Sequence, residues 1–410
     1  MREPRHILVL VENLSVPFDR RVWHECTTLV SAGYEVSVIC PRGKRHDREP
    51  FADLSGVRIH RYPAPPSAQS LAGYAREYPY MLAWTLRLAW RIWRERRFDV
   101  IHACNPPDLF FLVGRAFRPL GVSFVYDQHD ANPEILMAKR GGAARNGIPE
   151  WVVQWAERSS YNLADVVVAP NGSYQRLALT RGGKAASDVF VVRSAPRREE
   201  FSAVQCGCFD RRGHAYLIGY LGVMGKQDGV DLLVRAVGLL VRGGHDILLY
   251  LAGDGESRGE IAGLVRELGL DEHVLMPGFQ THQEFTPALM DADVCVAPDP
   301  PSPFNDISTM NKIIEYMALG TPCVAFGLTE NRATGADAIA YADNMTWQGL
   351  AGAIGRLLDD EPGRRRLGEK ARERFERSLA WEYSAPHLLV AYERLREKVA
   401  HRRGRTAAQR

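Results

Sequence analysis

The sequence predicts an α/β protein of two domains, each built on a doubly wound parallel β-sheet. Three observations indicate this fold class. Short apolar runs alternate with helix-length segments, the alternation starts again after a stretch rich in Pro, Arg and Glu, and 410 residues suffice for two or three domains. We interpret residues 195–213 as a linker, so the predicted domains span residues 1–200 and 214–380.

The first domain is predicted to contain strands wherever a short run is rich in aliphatic and β-branched residues. These runs lie at residues 6–11, 34–40, 57–62, 99–104, 122–127, 165–169 and 189–193. Segments of helix length lie between them at residues 20–31, 74–96, 109–120, 150–162 and 173–180. This alternation is typical of a parallel sheet that helices cover on both faces.

The second domain repeats the pattern, with predicted strands at residues 216–221, 247–252, 274–277, 294–297 and 323–326. Its predicted helices lie at residues 229–242, 258–268, 283–291, 308–319, 346–359 and 363–377. The chain from residue 381 to residue 410 is predicted to be helical and to end in a basic, frayed tail. Doubly wound sheets bind ligands beyond the carboxyl ends of their strands, so we expect the two domains to face each other across a cleft.

The stretch PFNDISTMNKIIEYMALGTP at residues 303–322 carries the clearest pattern of a binding site. A helix over residues 308–319 places Ser308, Lys312 and Glu315 on one face, with Ser308 suited to the N-cap. The free N–H groups and positive dipole end at such a helix start suit a phosphate, and a carboxylate further along can accept hydrogen bonds from a ribose. An ordinary amphipathic helix with a solvated polar face fits the spacing equally well.

Two loops that follow strands of the first domain carry polar side chains where a ligand is expected. The loop after the first strand contains Asn13 and Asp19, and the motif YDQHD, which includes His129 and Asp130, ends another strand. A His and an Asp at a strand end are well placed to contact a substrate hydroxyl or phosphate. Ordinary loop chemistry, or a capping Asp beside a surface His, explains these residues equally well.

In the second domain, the motif LAGDGE at residues 251–256 follows a strand and precedes a helix. Gly253 and Gly255 would let a ligand approach the backbone, although a tight turn explains them as well. Phe279 follows the next strand and is placed to line the pocket of a base. The loop after the chain's first strand does not match the G-x-G-x-x-G fingerprint, which speaks against a nicotinamide or flavin site there.

We expect no metal and no other cofactor, because no set of His, Cys and carboxylate residues has ligand spacing. Asp291 and Asp293 match the D-x-D spacing of some metal-dependent sugar transferases, but Asp293 more simply begins a predicted strand.

The 7 cysteines are scattered, which favours a reducing, cytoplasmic setting. The first apolar run is too short for a signal peptide or a membrane span.

The segment at residues 74–97, which contains the predicted helix at residues 74–96, has a candidate membrane-facing surface. Arg87, Arg91 and Arg94 line one face, and Trp84 and Trp90 add aromatic mass. A helix packed on its own sheet with a solvated Arg face is the commoner structure. The first 200 residues hold 28 Lys and Arg against 21 Asp and Glu, which favours an anionic partner. Peripheral contact at the inner face of the membrane therefore stays open, whereas the overall net charge of +3 gives no indication of nucleic-acid binding.

Taken together, these stretches resemble a family 4 glycosyltransferase of GT-B architecture, and the resemblance covers nearly the whole chain. The motifs that carry it are DVIHACNPPDL at 99–109, YDQHD at 126–130, GYLGVMGKQDGVDLLVRA at 219–236, LAGDGE at 251–256 and STMNKIIEYMALGTP at 308–322. The resemblance implies two Rossmann-like domains and a retaining, metal-independent hexosyl transfer. The donor would be a nucleoside-diphosphate sugar, and the acceptor a hydroxyl of a glycan, lipid-linked or small molecule, as in bacterial surface or exported glycans.

The resemblance also implies roles for single residues. In the second domain, Glu315 would bind the ribose hydroxyls, Ser308 and Thr309 would lie at the diphosphate, and Gly253, Gly255 and Phe279 would lie near the base. In the first domain, His129 would lie near the transferred sugar, with Asn13, Asp19 and Asp130 on the acceptor or phosphate side. The helix at residues 381–400 would pack back onto the first domain.

The sequence departs from the family pattern at two places. Ile307 stands where many members have a glutamate, and Val223 and Asp228 stand where many have an Arg and a Lys that hold the diphosphate. Lys226 and Lys312 are then the nearest cations for the phosphates. Val223 and Asp228 favour one alternative to a transferase, a non-catalytic scaffold of a transferase complex with an impaired donor site. A sugar-nucleotide epimerase of the same architecture is a second alternative, although it fits the motifs less well.

Overall fold

The computed structural model describes residues 5–43, 46–64, 71–140, 150–201, 207 and 209–408. The chain divides into two compact units, Met1–Ser194 with Ser384–Arg410, and Ala195–Tyr383. Each unit contains a parallel or mainly parallel sheet with helices packed against it. The predicted fold class, two α/β domains with parallel sheets, is therefore confirmed.

The strands of the first unit form one sheet in the order β3-β4-β2-β1-β5-β6-β7-β8. Their bounds are β1 (His6–Leu10), β2 (Glu35–Pro41), β3 (Phe51–Leu54), β4 (Val57–Tyr62), β5 (Val100–Cys104), β6 (Ser123–Asp127), β7 (Val166–Ala169) and β8 (Val189–Val191). All neighbouring pairs are parallel except β3 and β4. Every residue of β1 is buried, because helices cover both faces of the sheet at its centre.

The sequence patterns missed β3, and the structure shows the physical reason. This edge strand is mostly exposed, so it lacks the apolar pattern that identifies the other strands. It joins β4 in an antiparallel hairpin whose turn, Ser55 and Gly56, has φ of 50° and 80°. A two-residue turn with both φ values positive matches the twist of a hairpin.

The helices of the first unit between these strands are α1 (Arg20–Ser31), α2 (Leu71–Glu95), α3 (Phe111–Phe117), α4 (Asn132–Arg140), α5 (Glu150–Leu163) and α6 (Gly172–Thr180). The helix α3 is shorter than predicted because a 3₁₀ turn, Arg118–Leu120, replaces its last residues around Pro119. The short helix α4 was not predicted; it begins beside the YDQHD motif.

The sheet of the second unit is parallel and has the strand order β11-β10-β9-β12-β13-β14. Its strands are β9 (Tyr216–Leu221), β10 (Ile247–Ala252), β11 (Val274–Gly278), β12 (Val294–Ala297), β13 (Cys323–Ala325) and β14 (Ala340–Tyr341). Along β10, Leu248 and Tyr250 belong to one buried cluster, and Leu249 and Leu251 belong to another. Successive side chains of a strand point to opposite faces, so both faces of this sheet are covered.

The helices of the second unit are α7 (Val230–Arg242), α8 (Arg258–Glu267), α9 (His282–Met290), α10 (Pro303–Ile307), α11 (Asn311–Leu319), α12 (Thr329–Gly335), α13 (Trp347–Asp359) and α14 (Glu361–Arg374). The predicted helix over residues 308–319 is wrong at its start. Ser302 caps α10 by accepting from Asn305 N, and the chain then leaves helical geometry at Ser308, with ψ of 135°. The second helix, α11, begins only at Asn311.

The chain ends in a long helix, α15 (Trp381–Ala408), whose residues from Ser384 onward belong to the first unit. Leu388 is completely buried, and the Tyr392 hydroxyl is 2.9 Å from Nδ1 of His102 on β5. Asp188 accepts hydrogen bonds from Arg394, at 3.0 Å, and from Lys398. Apolar and charged contacts thus hold this helix on the first unit.

Within the part of the chain described here, no helix has the length and apolar character needed to span a bilayer.

We predict that replacing Leu388 with Ala destabilises the first unit by about 2–5 kcal/mol, because it leaves a cavity under α15. Val390 lies two residues further along the same helix and is 46% exposed, so Val390→Ala should change stability by no more than about 0.5 kcal/mol. Urea unfolding of the full chain, followed by tryptophan fluorescence, measures both effects. Equal destabilisation by the two substitutions would contradict the packing of α15.

Candidate functional site

Two glycine-containing loops pack against each other at the carboxyl ends of β9 and β10. A Cβ atom at Gly253 would lie 1.8 Å from the carbonyl oxygen of Gly222, and one at Gly255 would lie 2.6 Å from that of Met224. Gly253 also has a φ of 143°, which side chains rarely allow. Contact between the loops therefore requires these glycines, and the same contact places bare backbone at the sheet edge where ligands of such folds bind.

The loop after β9 leads into α7 through a 3₁₀ turn, Lys226–Asp228, and a left-handed Gly229. The Asp228 carboxylate accepts a hydrogen bond from Gly225 N at 2.9 Å, so Asp228 caps this turn. Lys226 is exposed and forms no ion pair with the described part of the chain, and the Val223 side chain is 59% exposed. Lys226 is therefore the cation of this loop that stays open to a ligand.

Lys312 was expected to face a phosphate, but the structure pairs it with a carboxylate that the sequence reasoning missed. Its Nζ is 2.8 Å from Oδ1 of Asp299 and 5.0 Å from the centre of the Tyr220 ring. Burial alone would lower the pKa of Lys312, but Asp299, Tyr220 and Asp228 outweigh burial and raise it above its usual value. Lys312 thus stays charged, and Asp299 neutralises much of that charge.

The start of α11 remains a candidate phosphate site, although Ser308 and Thr309 precede it in a turn. Met310 occupies the N-cap and makes no side-chain cap, so the first N–H groups of α11 have no side-chain acceptor there. The Ser308 hydroxyl donates to the carbonyl of Phe304 at 2.8 Å. Glu315 lies on α11 and is only 5% exposed, whereas the alternative of an ordinary amphipathic helix with a solvated polar face would leave it open to water.

In the first unit, a buried carboxylate holds His129. Nε2 of His129 is 2.5 Å from Oδ2 of Asp127, which lies fully buried at the end of β6. Arg21 donates to the other oxygen of Asp127 at 2.8 Å, and Nε2 of His102 lies 3.3 Å from Oδ2. Three basic side chains therefore surround one carboxylate.

This pairing changes the protonation of each partner. Burial alone would raise the pKa of Asp127, but Arg21 and His129 hold it well below its usual range. Burial lowers the pKa of His129, and the charge of Asp127 more than offsets this and raises it. For His102 burial again lowers the pKa, but Asp127 and Glu25 raise it to about 9. Both imidazoles therefore keep their second proton to higher pH than a free histidine.

Asn105 fixes the loop that carries His129 and Asp130. Its Oδ1 accepts from the backbone N–H of His129 at 2.6 Å and from that of Asp130 at 3.0 Å. Its Nδ2 donates to the Asp130 carbonyl at 2.7 Å and to Asp108 at 2.9 Å. The sequence reasoning did not single out Asn105 or Asp108, although both lie in the DVIHACNPPDL motif.

The loop after β1 brings a further carboxyl group to this edge of the sheet. Asn13 is exposed, whereas Asp19 caps α1 by accepting from Val22 N at 3.1 Å. Glu12 precedes Asn13, and burial together with the charge of Glu77 raises its pKa to about 7. A carboxyl group that titrates near neutral pH can exchange a proton with a ligand, so Glu12 joins the candidate residues.

The D-x-D pair and a cluster around Asp127 resemble metal sites, but other contacts use their carboxylate oxygens. Asp293 of the D-x-D pair accepts from Arg211 at 2.9 Å and from Arg364 at 3.1 Å. Asp291 accepts from the backbone N–H of Phe209 at 2.9 Å. These contacts give both carboxylates a structural role at the start of the second unit's sheet.

The second group is Glu25, Cys104, Asp127 and His129, whose donor atoms lie within 4.8 Å of one another. Arg21 lies 3.2 Å from Glu25 and 2.8 Å from Asp127. Burial raises the pKa of the Cys104 thiol well above its usual value, which disfavours the thiolate that binds metals. We therefore interpret this group as an ion-pair network around Asp127.

The chain matches two family models. Residues 19–208 match the Glycosyl transferase 4-like domain, and residues 215–360 match Glycosyl transferases group 1. A curated relative, the alpha-D-kanosaminyltransferase of Streptomyces kanamyceticus, is 26% identical over 340 residues, which cover 77% of this chain and 83% of the relative.

Solved structures share the fold. Sucrose-phosphate synthase from Thermosynechococcus elongatus superposes with a TM-score of 0.77 at 20% identity, over 95% of this chain and 99% of that one. Anabaena HepE, solved in complex with UDP-glucose, gives a TM-score of 0.66 at 18% identity, over 94% of this chain and 98% of that one.

We predict that His129 titrates above the value of about 6.5 found for free histidine, because the buried Asp127 carboxylate stabilises the imidazolium. Proton NMR of protein with ¹³C-labelled histidine, recorded from roughly pH 5 to pH 9, measures the pKa of His129. The His129→Gln variant lacks the His129 signal and so identifies it. A value at or below that of free histidine would contradict the Asp127 contact.

Proposed function

Since the chain belongs to the family 4-type glycosyltransferases, we propose that it transfers a sugar from a nucleoside-diphosphate sugar to a hydroxyl acceptor with retention of configuration. The proposal rests chiefly on one observation: the uncapped start of α11 and the buried Glu315 lie on the same helix of the second unit. A diphosphate needs N–H donors and positive potential, and a ribose diol needs a fixed acceptor.

On the donor side, we propose that the N–H groups at the start of α11 bind the diphosphate, together with Ser308 and Thr309. The Glu315 carboxylate would accept hydrogen bonds from the ribose hydroxyls. Glu315 is only 5% exposed, so its carboxylate is held in one place on α11, as a fixed acceptor for a ribose diol requires. The glycine loops, with Gly253 and Gly255, and the half-buried Phe279 would then lie near the base.

The cations that stabilise the leaving diphosphate are then few. Asp299 already neutralises much of the Lys312 charge, and Asp228 caps a turn. The dipole of α11 and the exposed Lys226 would supply the remaining positive potential. The departing phosphate oxygen would take the acceptor's proton, so no protein carboxylate has to act as a nucleophile, and no metal is needed for the transfer.

On the acceptor side, we propose that the hydroxyl-bearing molecule binds at the carboxyl ends of the first unit's strands. His129 would present an N–H and a positive charge to the transferred sugar, since Asp127 favours its protonated form. Asp130, Asn13 and Glu12 are further polar groups at this edge, and Asp19 acts mainly by capping α1. Glycans of the bacterial surface are acceptors of this chemical class.

A non-catalytic scaffold is the second candidate, and one observation favours it. The exposed Val223 and the capping Asp228 occupy the positions where the family pattern has cations, and Lys312 is paired. A scaffold protein would bind nucleotides weakly or not at all, and it would release none from any sugar nucleotide. Nucleotide binding followed by turnover therefore separates the two candidates.

We predict that one of UDP, GDP, ADP or dTDP raises the melting temperature, with and without EDTA. At about 100 times its dissociation constant a ligand stabilises by about 2.7 kcal/mol. Glu315→Gln should remove most of this shift because the ribose loses its charged acceptor, whereas Glu267→Gln, at an exposed position at the end of α8, should leave it unchanged. If a folded wild type ignores all four nucleotides at millimolar concentration, the donor-site proposal fails.

We further propose that α2 contacts anionic membrane surfaces. Arg87 and Arg94 are exposed and lie over the rings of Trp84 and Trp90, at 5.9 and 5.7 Å from the ring centres. Other residues of the helix are buried in the first unit, so contact would use only its outer face. Basic and aromatic side chains on one surface suit the headgroup region of a bilayer.

We predict that the full chain sediments with vesicles containing anionic lipid at low salt and is released as salt rises. Replacing Arg87, Arg91 and Arg94 with Gln should abolish this binding. The matched control replaces three exposed arginines of the second unit, Arg365, Arg366 and Arg377. Equal loss in both triple variants would contradict a specific role of α2.

A further inference from the structure

Three titratable side chains meet at the amino ends of neighbouring strands in the second unit. His214 precedes β9, Asp246 precedes β10, and His273 precedes β11, and these strands are adjacent in the parallel sheet. The proposed donor loops follow the same strands at their carboxyl ends. The trio therefore lies at the opposite edge of the sheet and plays no part in the proposed donor site.

The three side chains are close enough to share one ion. One donor atom of each lies within 4.8 Å of those of the other two. Nδ1 of His214 is 2.6 Å from Oδ1 of Asp246, and the rings of His214 and His273 have centres 5.0 Å apart. The side chain of His214 is 15% exposed and that of Asp246 is 53% exposed, so an ion can enter from solvent.

Backbone groups already hold the other polar atoms of the trio. Nε2 of His214 is 3.1 Å from the carbonyl oxygen of Glu272, and Nδ1 of His273 is 2.8 Å from that of Ile247. A carbonyl oxygen only accepts, so these two ring nitrogens donate and carry the hydrogens. The second oxygen of Asp246 accepts from a backbone N–H at 3.0 Å. Metal-binding histidines and carboxylates usually have outer contacts of this kind.

We propose that Nδ1 of His214, Nε2 of His273 and Oδ1 of Asp246 bind a divalent transition-metal ion, with Zn²⁺ the best match. Two imidazole nitrogens and one carboxylate oxygen form a ligand set that Zn²⁺ takes in proteins, with water in the fourth position. The nearby Arg211 is paired with Asp293 at 2.9 Å, so much of its positive charge is already neutralised. Without metal binding, the 2.6 Å contact is only a His–Asp ion pair.

The bound ion would join the starts of three strands. We therefore expect it to raise the melting temperature of the protein. Nucleotide binding should not change, because the donor loops lie at the other ends of β9 and β10. The proposed function and the metal site can consequently fail independently of each other.

The same unit contains a matched control. Nε2 of His245 is 3.2 Å from Oδ1 of Asp359, and its Nδ1 is 3.3 Å from the carbonyl oxygen of Leu240. This pair has the same two residue types and a similar backbone contact. His245 and Asp359 do not appear in either group of three or more donor residues found among the described residues.

The test uses the metal-free full chain titrated with ZnCl₂ in a calorimeter, with melting temperatures recorded in parallel. Wild type and His245→Ala should each bind one equivalent of zinc. His214→Ala and His273→Ala should bind zinc at least about tenfold more weakly. Zinc should therefore raise the melting temperature of wild type and His245→Ala only. Circular dichroism confirms that each variant is folded, and His214→Asn and His273→Asn serve if an alanine variant is not. Absence of zinc binding to wild type, or equal affinity in all four proteins, would show an ion pair only and overturn the proposal.

Discussion

A charge buried at the end of a parallel strand has to be paired, and this requirement organises the candidate site in both units. In the first unit Asp127 is completely buried, and Arg21, His102 and His129 lie around it. In the second unit the buried Asp299 holds Lys312. An unpaired charge at either position would cost several kcal/mol. The ends of the strands are thus the edge at which we propose ligand binding, and they are also the place where ion pairs fix the loops.

These pairs also determine which charges remain for a ligand. His129 lies at the edge of the network around Asp127, and the charge of Asp127 raises the pKa of His129. The group that this network presents to the candidate acceptor site is therefore a protonated imidazole. Lys312 lies inside its pair and offers a diphosphate little net charge. For this reason our proposal relies mainly on the start of α11 to bind the phosphate. The N–H groups and the dipole of the helix act there without the desolvation of a charged side chain.

The sequence located most of this architecture because local patterns carry it. Buried parallel strands such as β1 are continuous apolar runs, and their positions were predicted to within about two residues, within the usual uncertainty of element boundaries. The exposed edge strand β3 and the break at Ser308 were missed, because both depend on contacts rather than on periodicity. Ser308 suits an N-cap, but Ser302 caps an earlier helix and Ser308 ends it.

By itself, the sequence determined the two α/β units, the strand-end loops and the helix that carries Glu315. The signals for these elements are hydrophobic periodicity and turn residues, and both can be read from a few neighbouring positions of the chain. Only the tertiary structure decided which charges meet. Asp299 and Lys312 are 13 residues apart, and Arg21 and Asp127 are 106 residues apart. His214, Asp246 and His273 come together only because parallel strands bring their starts to one edge. Pairing across a sheet depends on strand order, which the spacing of residues along one chain does not reveal.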